Sequence, residues 1–497
     1  MPPAGGDMIS RRGLLLGSAA AGLVSAVPSA IGQVPASIDT LPPTAPVKRI
    51  ALSAGEMDFH LLGPDKPATR KFCAYDGKPF KVFRFDRGTR LAVDFTNNLP
   101  DPTTVHWHGI RVPYLSDGVA PLTQDVVKPG GTFSYNVPLP DGGFYFFHPH
   151  CDETGQVGRG LFALLIVDDP EERKVKFDAE CFIVVKDWRL GDDGQWIEMS
   201  TDEGAATAGT FGTVRATNGS VTPPRVEVPA YGDVRVRTIV ADATRVIDLG
   251  TDHEEAALIA VDGQALLPPQ MLDHLPDGIW RMGPAMRADV QVRMPGPGQE
   301  VKVYDYRSSE PYLLTTLVAV DKGLKKTAFK PKPLPASTAP MPDLSKPTPL
   351  EYLVQVSAGA TIVSPPLPAD DPLSKALVDS LCVGTKTHWA ISRDSWATDD
   401  ALRLPPPLSQ LSTGTSYVVT CTNVTKHVHP MHLHGHVFKV LSSSKKKGMP
   451  QYLADTVIVE PNESVQFAFK AASGNWVFHC HILEHMDTGL MGWFRVA

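Results

Sequence analysis

The 497-residue sequence is poor in charge and has no long, uninterrupted hydrophobic run. Lys, Arg, Asp and Glu make up only 20% of the residues, and the formal net charge is −7. Without a basic excess, the chain lacks the electrostatic attraction of nucleic-acid-binding proteins and attracts cations only weakly. A membrane-spanning helix needs about 20 consecutive apolar residues, which no segment beyond the N-terminal region offers. These absences argue against a nucleic-acid partner and against stable membrane insertion of the mature protein.

The N-terminal region is the most hydrophobic part of the chain, but it is short and interrupted by small residues. Ser10-Arg11-Arg12-Gly13 precedes a run rich in Leu and Ala that ends at about Ala30. Paired arginines before such a run are typical of a twin-arginine export signal. We therefore expect a signal peptide at residues 1–30, export of the folded protein by the twin-arginine machinery, and a periplasmic or secreted mature protein. The alternative is a membrane anchor.

Proline and glycine are abundant, with 46 Pro and 41 Gly among short Val-rich runs, as is typical of an all-β chain. Phe83 and Phe85 alternate with Arg84 and Asp86, as in a strand that buries one face. The length suggests three domains of ~150 residues each.

Residues 479–485 read His-Cys-His-Ile-Leu-Glu-His and offer ligands to two metal sites. In a strand, successive side chains point to opposite faces, so His479 and His481 share one face and Cys480 points to the other. A thiolate with two imidazoles suits a blue copper centre, and His485 is placed to supply one of these imidazoles.

A second histidine-rich stretch, residues 429–434, extends this alternation. His432 and His434 share a face, and His429 lies off it. On this interpretation His429 belongs to the cysteine-containing site, and the other two belong to a second cluster with the pair that flanks Cys480.

Two similar pairs lie far upstream, His106-Trp107-His108 and His148-Pro149-His150. A single His-x-His pair is readily explained by chance or by a buried structural imidazole. Random placement of 16 His gives roughly 0.5 such pairs, whereas the chain has six. Chance therefore does not explain them.

In this order and at these positions, the four motifs resemble those of three-domain multicopper oxidases of the laccase type, over about residues 45–497. The resemblance implies an all-β fold of three cupredoxin-like Greek-key β-sandwich or barrel domains. It also implies four copper ions, namely one type 1 ion, one type 2 ion and one coupled type 3 pair, held by ten His and one Cys.

Each of these ligand positions has a counterpart in the chain. The type 1 ligands correspond to His429, Cys480 and His485, and the type 2 ligands to His106 and His432. The type 3 ligands correspond to His108, His148, His150, His434, His479 and His481.

Two further residues affect how this site is built. Asp117, in an Asp-Gly pair eleven residues after His106, resembles the acid that handles protons beside the family's copper cluster. The alternative for Asp117 is an ordinary turn. Pro149 cannot donate a hydrogen bond to a neighbouring strand, so we expect its strand to lie at an edge or to break at the ligands.

The resemblance also predicts the domain limits. Domain 1 is expected at residues 45–172, domain 2 at 173–325 and domain 3 at 350–497, with a Pro-rich, semi-extended linker at 326–349. Domain 2 carries no ligand motif, and its implied role is to space the outer two. Four residues outside the motifs are interpreted as structural or surface residues: His253, His274, His388 and Trp389.

The implied function is that of a copper-dependent oxidase. It would couple one-electron oxidation of phenols, aromatic amines or similar reductants to four-electron reduction of dioxygen to water. The alternative is a periplasmic cuprous oxidase for copper resistance, although the Met-rich insert of such enzymes is missing, since no Met lies between Met341 and Met431. A non-enzymatic cupredoxin scaffold usually lacks the ligands that this chain keeps. A zinc hydrolase is disfavoured, because one zinc ion takes only three or four ligands.

Positions after the cysteine are expected to tune this chemistry. Leu490 stands where many relatives have a weak axial Met, and because Leu cannot coordinate copper, we expect a high redox potential. Met491 could supply the sulfur instead if the loop shifts by one residue. Met486 stands where many bacterial relatives have Glu, so Asp117 is expected to carry more of the proton transfer.

Overall fold

The structure, a computed structural model, describes residues 40–356, 387–392, 394–397 and 404–497. The predicted signal peptide at residues 1–30 lies outside these ranges. Within them the chain forms 31 β-strands, three short α-helices and four 3₁₀-helices, so the all-β prediction is confirmed. None of the helices in the described ranges is long and apolar enough to cross a membrane.

Two sheets form from the first seven strands. The strands are β1 (Val47–Phe59), β2 (Thr69–Tyr75), β3 (Val82–Asp86), β4 (Arg90–Asn97), β5 (Thr132–Pro138), β6 (Gly143–Phe147) and β7 (Ala163–Asp168). Their orders are β2-β1-β4-β5 and β3-β7-β6. In β3, Phe85 is buried while Arg84 and Asp86 are exposed, so the alternation places one face on the core.

The next eleven strands form a second pair of sheets. The strands are β8 (Ala179–Trp188), β9 (Val214–Thr217), β10 (Arg225–Pro229), β11 (Asp233–Val240), β12 (Ile247–Thr251), β13 (Ala256–Val261), β14 (Gln264–Met271), β15 (Trp280–Met282), β16 (Arg287–Arg293), β17 (Glu300–Asp305) and β18 (Tyr312–Val320). Their orders are β14-β13-β16-β11-β8-β9 and β10-β18-β17-β12-β15. β11, β13 and β16 are buried along their whole lengths, so this pair is covered on both faces.

The remaining strands form two large sheets and one two-stranded sheet. They are β19 (Thr348–Val356), β20 (Trp389–Ile391), β21 (Trp396–Ala397), β22 (Ser409–Leu411), β23 (Ser416–Asn423), β24 (His429–Leu433), β25 (Phe438–Ser443), β26 (Tyr452–Ala454), β27 (Thr456–Val459), β28 (Ser464–Lys470), β29 (Gly474–Cys480), β30 (Thr488–Gly489) and β31 (Met491–Val496). The large sheets have the orders β20-β19-β23-β28-β25-β26 and β22-β31-β29-β24-β27, and β21 pairs with β30.

One pairing pattern recurs in all three sheet pairs. In one sheet of each pair, β1 is parallel to β4, β8 to β11 and β19 to β23. In the other sheet, β3 is parallel to β7, β10 to β18 and β22 to β31. A tight hairpin cannot join parallel neighbours, so the chain crosses between sheets, as Greek-key sandwiches require.

Helices occur in the connections. The α-helices are α1 (Glu153–Gly158), α2 (Asp202–Ala205) and α3 (Leu483–Asp487), and the 3₁₀-helices are Tyr114–Ser116, Glu172–Lys174, Leu272–His274 and Pro276–Gly278. Strand β6 ends at Phe147, so the strand breaks before the His148-Pro149-His150 motif, as the proline predicts. The Pro-rich segment between Val320 and Thr348 contains neither helix nor strand.

Candidate metal centres

Strands β24 and β29 lie side by side and antiparallel in one of the last two large sheets. His432 is paired with His479, and Met431 with Cys480. Because paired residues project to the same face of a sheet, His432 and His479 share one face. Cys480 projects to the other face, and so does His429, which stands two residues before Met431. The sheet therefore separates two groups of metal-ligating side chains.

The first group, which we call the cysteine site, consists of His429, Cys480 and His485. Cys480 Sγ lies 3.6 Å from His429 Nδ1 and 3.7 Å from His485 Nδ1, and the two nitrogens are 3.1 Å apart. Atoms bound at about 2.0–2.3 Å to one ion are separated by about 3–4 Å, so the three atoms fit around a single metal. One thiolate and two imidazoles form the donor set of a blue copper centre.

Contacts on the far side of each ring fix the imidazoles of the cysteine site. His429 Nε2 lies 2.9 Å from Thr425 Oγ1, and His485 Nε2 donates to the carbonyl oxygen of Thr207 at 2.9 Å. Burial lowers the pKa of His429 and lowers that of His485 to about 3, so both rings are neutral. Burial also raises the pKa of the Cys480 thiol, which therefore loses its proton only when a metal binds.

Leu490 lies on the face of the cysteine site, and Met491 does not. In the pairing of β29 with β31, His479 stands opposite Met491, so Met491 lies on the face of His479. Leu490 packs in the core that contains Cys480, whereas Met491 packs in a separate cluster with Val119. A one-residue shift of the loop is therefore absent.

The second group, which we call the histidine cluster, brings together eight buried imidazoles from the two ends of the chain. Its members are His106, His108, His148, His150, His432, His434, His479 and His481. The ring of His106 stacks on that of His434 with centroids 3.8 Å apart, and the ring of His108 stacks on that of His432 at 3.7 Å. The first and last sheet pairs thus meet at this cluster.

The free ring nitrogens of the histidine cluster fit metal ions. His106 Nδ1 donates to Asp117 O, and His432 Nδ1 donates to Asp455 O, each at 2.8 Å. Seven other nitrogens in the cluster are buried without a partner in the described chain: Nε2 of His106, His148, His150, His432 and His481, and Nδ1 of His108 and His481. Each unpaired buried polar atom costs about 1–3 kcal/mol, a cost that bound metal ions would remove.

Burial keeps seven of these imidazoles neutral, as metal ligands must be. Burial lowers the pKa of His479 to about 3 and lowers the pKa values of six others, namely His108, His148, His150, His432, His434 and His481. All eleven ligand positions predicted from the sequence lie in the cysteine site or the histidine cluster.

Asp117 is buried between two rings of the histidine cluster. Its Oδ2 accepts a hydrogen bond from His434 Nδ1 at 2.7 Å, and its backbone oxygen accepts one from His106 Nδ1. Asp117 also ends a 3₁₀ turn, and the next residue, Gly118, has φ +80°, where a Cβ would lie 2.0 Å from Val105 O. Asp117 therefore forms part of a turn and also contacts the rings of His106 and His434.

Sequence reasoning missed two buried carboxylates beside the histidine cluster. Glu153 Oε1 lies 3.1 Å from His150 Nδ1, and burial, together with the charge of Asp487, raises the pKa of Glu153. Asp455 Oδ1 accepts a hydrogen bond from His108 Nε2 at 3.0 Å. Glu153 has a weak signal in the sequence, since it stands only three residues after His150. Asp455 has none, because only the fold brings it to His108.

Trp389, interpreted from the sequence as a structural residue, packs against the cysteine site. Its ring centroid lies 4.4 Å from that of His485 and 5.0 Å from that of His429. The indole N–H donates to Ala205 O at 2.6 Å. Trp389 therefore holds both imidazoles against a segment of the second sheet pair.

That segment, residues 201–210, covers the edge of His485. The Glu484 carboxylate fastens it, accepting hydrogen bonds from Thr201 N at 3.3 Å, from Thr210 Oγ1 at 2.5 Å and from Thr210 N. Thr207 is exposed, while His485, bound to its carbonyl oxygen, is fully buried. One layer of backbone therefore separates this imidazole from solvent.

Comparison with known proteins gives a consistent result. Two sequence profiles described as multicopper oxidase match residues 62–172 and 380–497. The multicopper oxidase MmcO of Mycobacterium tuberculosis is 28% identical over 83% of this chain and 80% of its own length. The crystal structure of a multi-copper oxidase from Pseudomonas thermotolerans is 31% identical, covering 91% of this chain and 100% of that chain with a TM-score of 0.78. The corresponding Pseudomonas parafulva structure is 32% identical, covering 90% and 100% with a TM-score of 0.74.

Cupredoxin-like sheet pairs that enclose a cysteine site and a histidine cluster define a copper-binding oxidoreductase. The chain belongs to the multicopper oxidase family, as a laccase-like member similar to those of bacteria. It is an enzyme that uses oxygen, and its two groups of ligands are compatible with copper sites.

Proposed function

We propose that this enzyme oxidises phenols, aromatic amines or similar reductants one electron at a time and reduces dioxygen to two waters with four electrons. The position of Cys480 carries this proposal. Its side chain belongs to the cysteine site, while its neighbours His479 and His481 belong to the histidine cluster. His479 Nδ1 also donates to Cys480 O at 2.9 Å, so a short covalent path and a hydrogen bond join the two sites.

The proposal includes four copper ions. The cysteine site would hold a type 1 ion, His106 and His432 a type 2 ion, and the other six imidazoles of the histidine cluster a type 3 pair. When bound, copper supplies one-electron oxidation at the cysteine site and dioxygen reduction at the histidine cluster.

The protein's own residues orient the ligands, exclude water and move protons. Trp389 and the segment 201–210 shield the cysteine site, which keeps its ligands dry and their geometry fixed. Asp117 is proposed to take up and release protons at Oδ1, the carboxylate oxygen that has no hydrogen-bond partner in the described chain, because dioxygen reduction consumes four protons inside a buried cluster. Met486 offers no carboxylate that could share this work.

The domain limits and the localisation are also proposals. We propose domains at residues 45–172, 173–325 and 350–497 with a linker at 326–349, supported by strand ranges that place each sheet pair within one domain apart from the first residues of β19. We further propose export by the twin-arginine machinery to the periplasm or the medium.

Oxygen uptake by copper-loaded protein tests the function. We expect uptake with a substituted phenol that exceeds uptake without reductant, and no such uptake by Cys480→Ser, which lacks the thiolate. The same variant should lose the blue colour that this ligand set produces. A blue Cys480→Ser protein would refute the ligand assignment, and blue wild-type protein that takes up no oxygen with any reductant would refute the function.

One observation favours a second candidate, a cuprous oxidase. His485 Nε2 is already bonded to Thr207 O and the ring is fully buried, so a bulky phenol cannot contact this edge unless the segment moves. A small metal ion such as Cu(I) needs less space. Faster oxygen uptake with Cu(I) than with the phenol, at equal concentration and corrected for uptake without enzyme, would favour this candidate.

A further inference from the structure

A fully buried guanidinium from the second sheet pair lies beside the histidine cluster. Arg287, the first residue of β16, donates from Nη1 to Asp455 Oδ1 at 3.0 Å and from Nη2 to Asp455 Oδ2 at 2.5 Å. Its Nε donates to Phe144 O at 3.1 Å, and Nη1 also donates to Ala285 O at 3.0 Å. A bidentate Arg–carboxylate pair of this kind fixes both the orientation of the carboxylate and its distance from the guanidinium.

Asp455 holds two rings of the cluster. Its Oδ1 accepts from His108 Nε2 at 3.0 Å, and its backbone oxygen accepts from His432 Nδ1 at 2.8 Å. These contacts leave His108 Nδ1 and His432 Nε2 as the unpartnered nitrogens that face the metal positions. The tautomer and rotation of both rings therefore depend on where Asp455 stands.

The carboxylate of Asp262, which belongs to the second sheet pair like Arg287, also holds Asp455 in place. Asp262 Oδ1 accepts from the backbone N–H of Arg287 at 2.9 Å. Asp262 Oδ2 accepts from the backbone N–H groups of Asp455 at 3.2 Å and Thr456 at 3.1 Å. The second sheet pair thus holds Asp455 through both its carboxylate and its backbone.

The first sheet pair leaves room for this ion pair. Gly109, next to His108, has φ +79°. A Cβ there would lie 2.4 Å from Asp455 Oδ2 and 2.7 Å from Arg287 Nη2. Any larger residue would displace the ion pair, so all three sheet pairs meet at this point.

We infer that Arg287 is a positioning residue for the oxygen-reducing site, acting through Asp455 on His108 and His432. The middle sheet pair is then part of that site as well as a spacer between the other two. This inference rests on the proposed function, because it takes both histidines as copper ligands.

The test compares Arg287→Met and Arg287→Lys with the wild type in copper content, the type 2 signal in electron paramagnetic resonance, and the two half-reactions. Arg235→Met is the matched control. Arg235 is also buried in this sheet and bound to a carboxylate, Asp289, and it touches no residue of the cluster. Wild-type protein must first show the type 2 signal, and its absence would count against the proposed function rather than this inference.

We expect Arg287→Met to keep the blue band and its bleaching by anaerobic reductant, because the cysteine site is untouched. Reoxidation by oxygen should slow by about 10–100-fold, with loss or alteration of the type 2 signal, as is usual when a partner of a metal ligand is removed. KM for the reductant should stay unchanged. Arg287→Lys should recover part of the rate, because lysine keeps the positive charge but lacks the planar guanidinium that binds both oxygens of Asp455.

Three results would overturn the inference. The first is an unchanged type 2 signal and reoxidation rate in folded Arg287→Met. The second is an equal effect in Arg235→Met, which would indicate general destabilisation. The third applies if Arg287→Met does not fold. Arg287→Lys is then the test variant, and a type 2 signal and reoxidation rate equal to those of the wild type would refute the inference.

Discussion

At the residue scale, we expect one aliphatic side chain, Leu490, to set how oxidising the cysteine site is when it holds copper. A thioether at Leu490 would donate electron density to Cu(II) and lower the potential, whereas leucine leaves the oxidised state without that support. We expect Leu490→Met to lower the potential and Met491→Leu to leave it nearly unchanged, because Met491 packs on the opposite face. Redox titration of the blue band measures both, and each ~59 mV corresponds to a tenfold change in the one-electron equilibrium. A raised potential in Met491→Leu would make Met491 the axial ligand.

Asp117 offers a separate prediction at this scale. Asp117→Asn keeps the size of the side chain and removes its ability to release a proton, so turnover should fall by about 10²-fold or more while the blue colour remains. Asp193→Asn is the matched control, since Asp193 also precedes a glycine in a turn but is exposed and bonds to Gln195 N. Equal turnover of the two variants would leave Asp117 with only its turn role.

At the element scale, the sequence predicted what depends on local alternation and missed what depends on long-range contacts. The two faces of β29 follow from the period of a strand, and the end of β6 follows from the missing N–H of Pro149. The positions of Asp455 and Trp389 follow from how the sheet pairs assemble, which no local pattern records. The exclusion of Met491 likewise required the pairing of β29 with β31.

The segment 201–210 provides a prediction about an element. Thr210→Val removes the hydroxyl that bonds to Glu484 and to the backbone N–H of Thr201, and a hydrogen bond to a charged group contributes about 1.5–3 kcal/mol. The loosened segment should uncover His485, so kcat/KM for a bulky phenol should rise by about tenfold relative to that for a small reductant. The blue band should not change.

Thr213→Val serves as the control for this change, since Thr213 Oγ1 bonds to Leu190 O, away from Glu484. The ratio of kcat/KM for a bulky phenol to that for ferrocyanide should stay at the wild-type value in this control. If Thr210→Val also leaves the ratio unchanged, the segment does not limit access to the cysteine site.

At the scale of the whole molecule, all three sheet pairs build the chemistry. The first and last supply the imidazoles of the histidine cluster, and the second supplies Arg287, Asp262 and the segment over His485. Moving any pair would misalign ligands that other pairs hold. We therefore expect the chemistry proposed for both sites to depend on assembly of the whole chain, and copper binding to stabilise the fold globally.

Acid should destabilise the copper-free protein steeply. Burial lowers the pKa values of ten buried imidazoles: His108, His148, His150, His429, His432, His434, His436, His479, His481 and His485. The pKa of His436 falls to about 4, and those of His479 and His485 fall to about 3. Below about pH 6.5 the unfolded chain binds protons at these residues and the folded chain does not, so stability is complete above that pH and falls as the pH drops. Each residue contributes up to ~1.4 kcal/mol per pH unit. Five carboxyls whose pKa values are raised by burial act in the opposite direction, but they are fewer than the ten imidazoles: Asp152, Glu153, Asp187, Asp262 and Asp394.

Copper should raise this stability and make its dependence on pH steeper. The bound imidazoles carry no proton either, but Cys480 gives up its thiol proton when copper binds, so the slope rises by about 1.4 kcal/mol per pH unit. Binding to the folded state alone adds about 4 kcal/mol when free copper is 1,000 times the dissociation constant. Urea unfolding at about pH 7 and about pH 5, with and without copper, measures both quantities. We expect the midpoint of the copper-free protein to fall sharply between these pH values and that of the loaded protein to lie above it at each. A copper-free midpoint that does not change over this interval would mean that the ten imidazoles are not held neutral by burial.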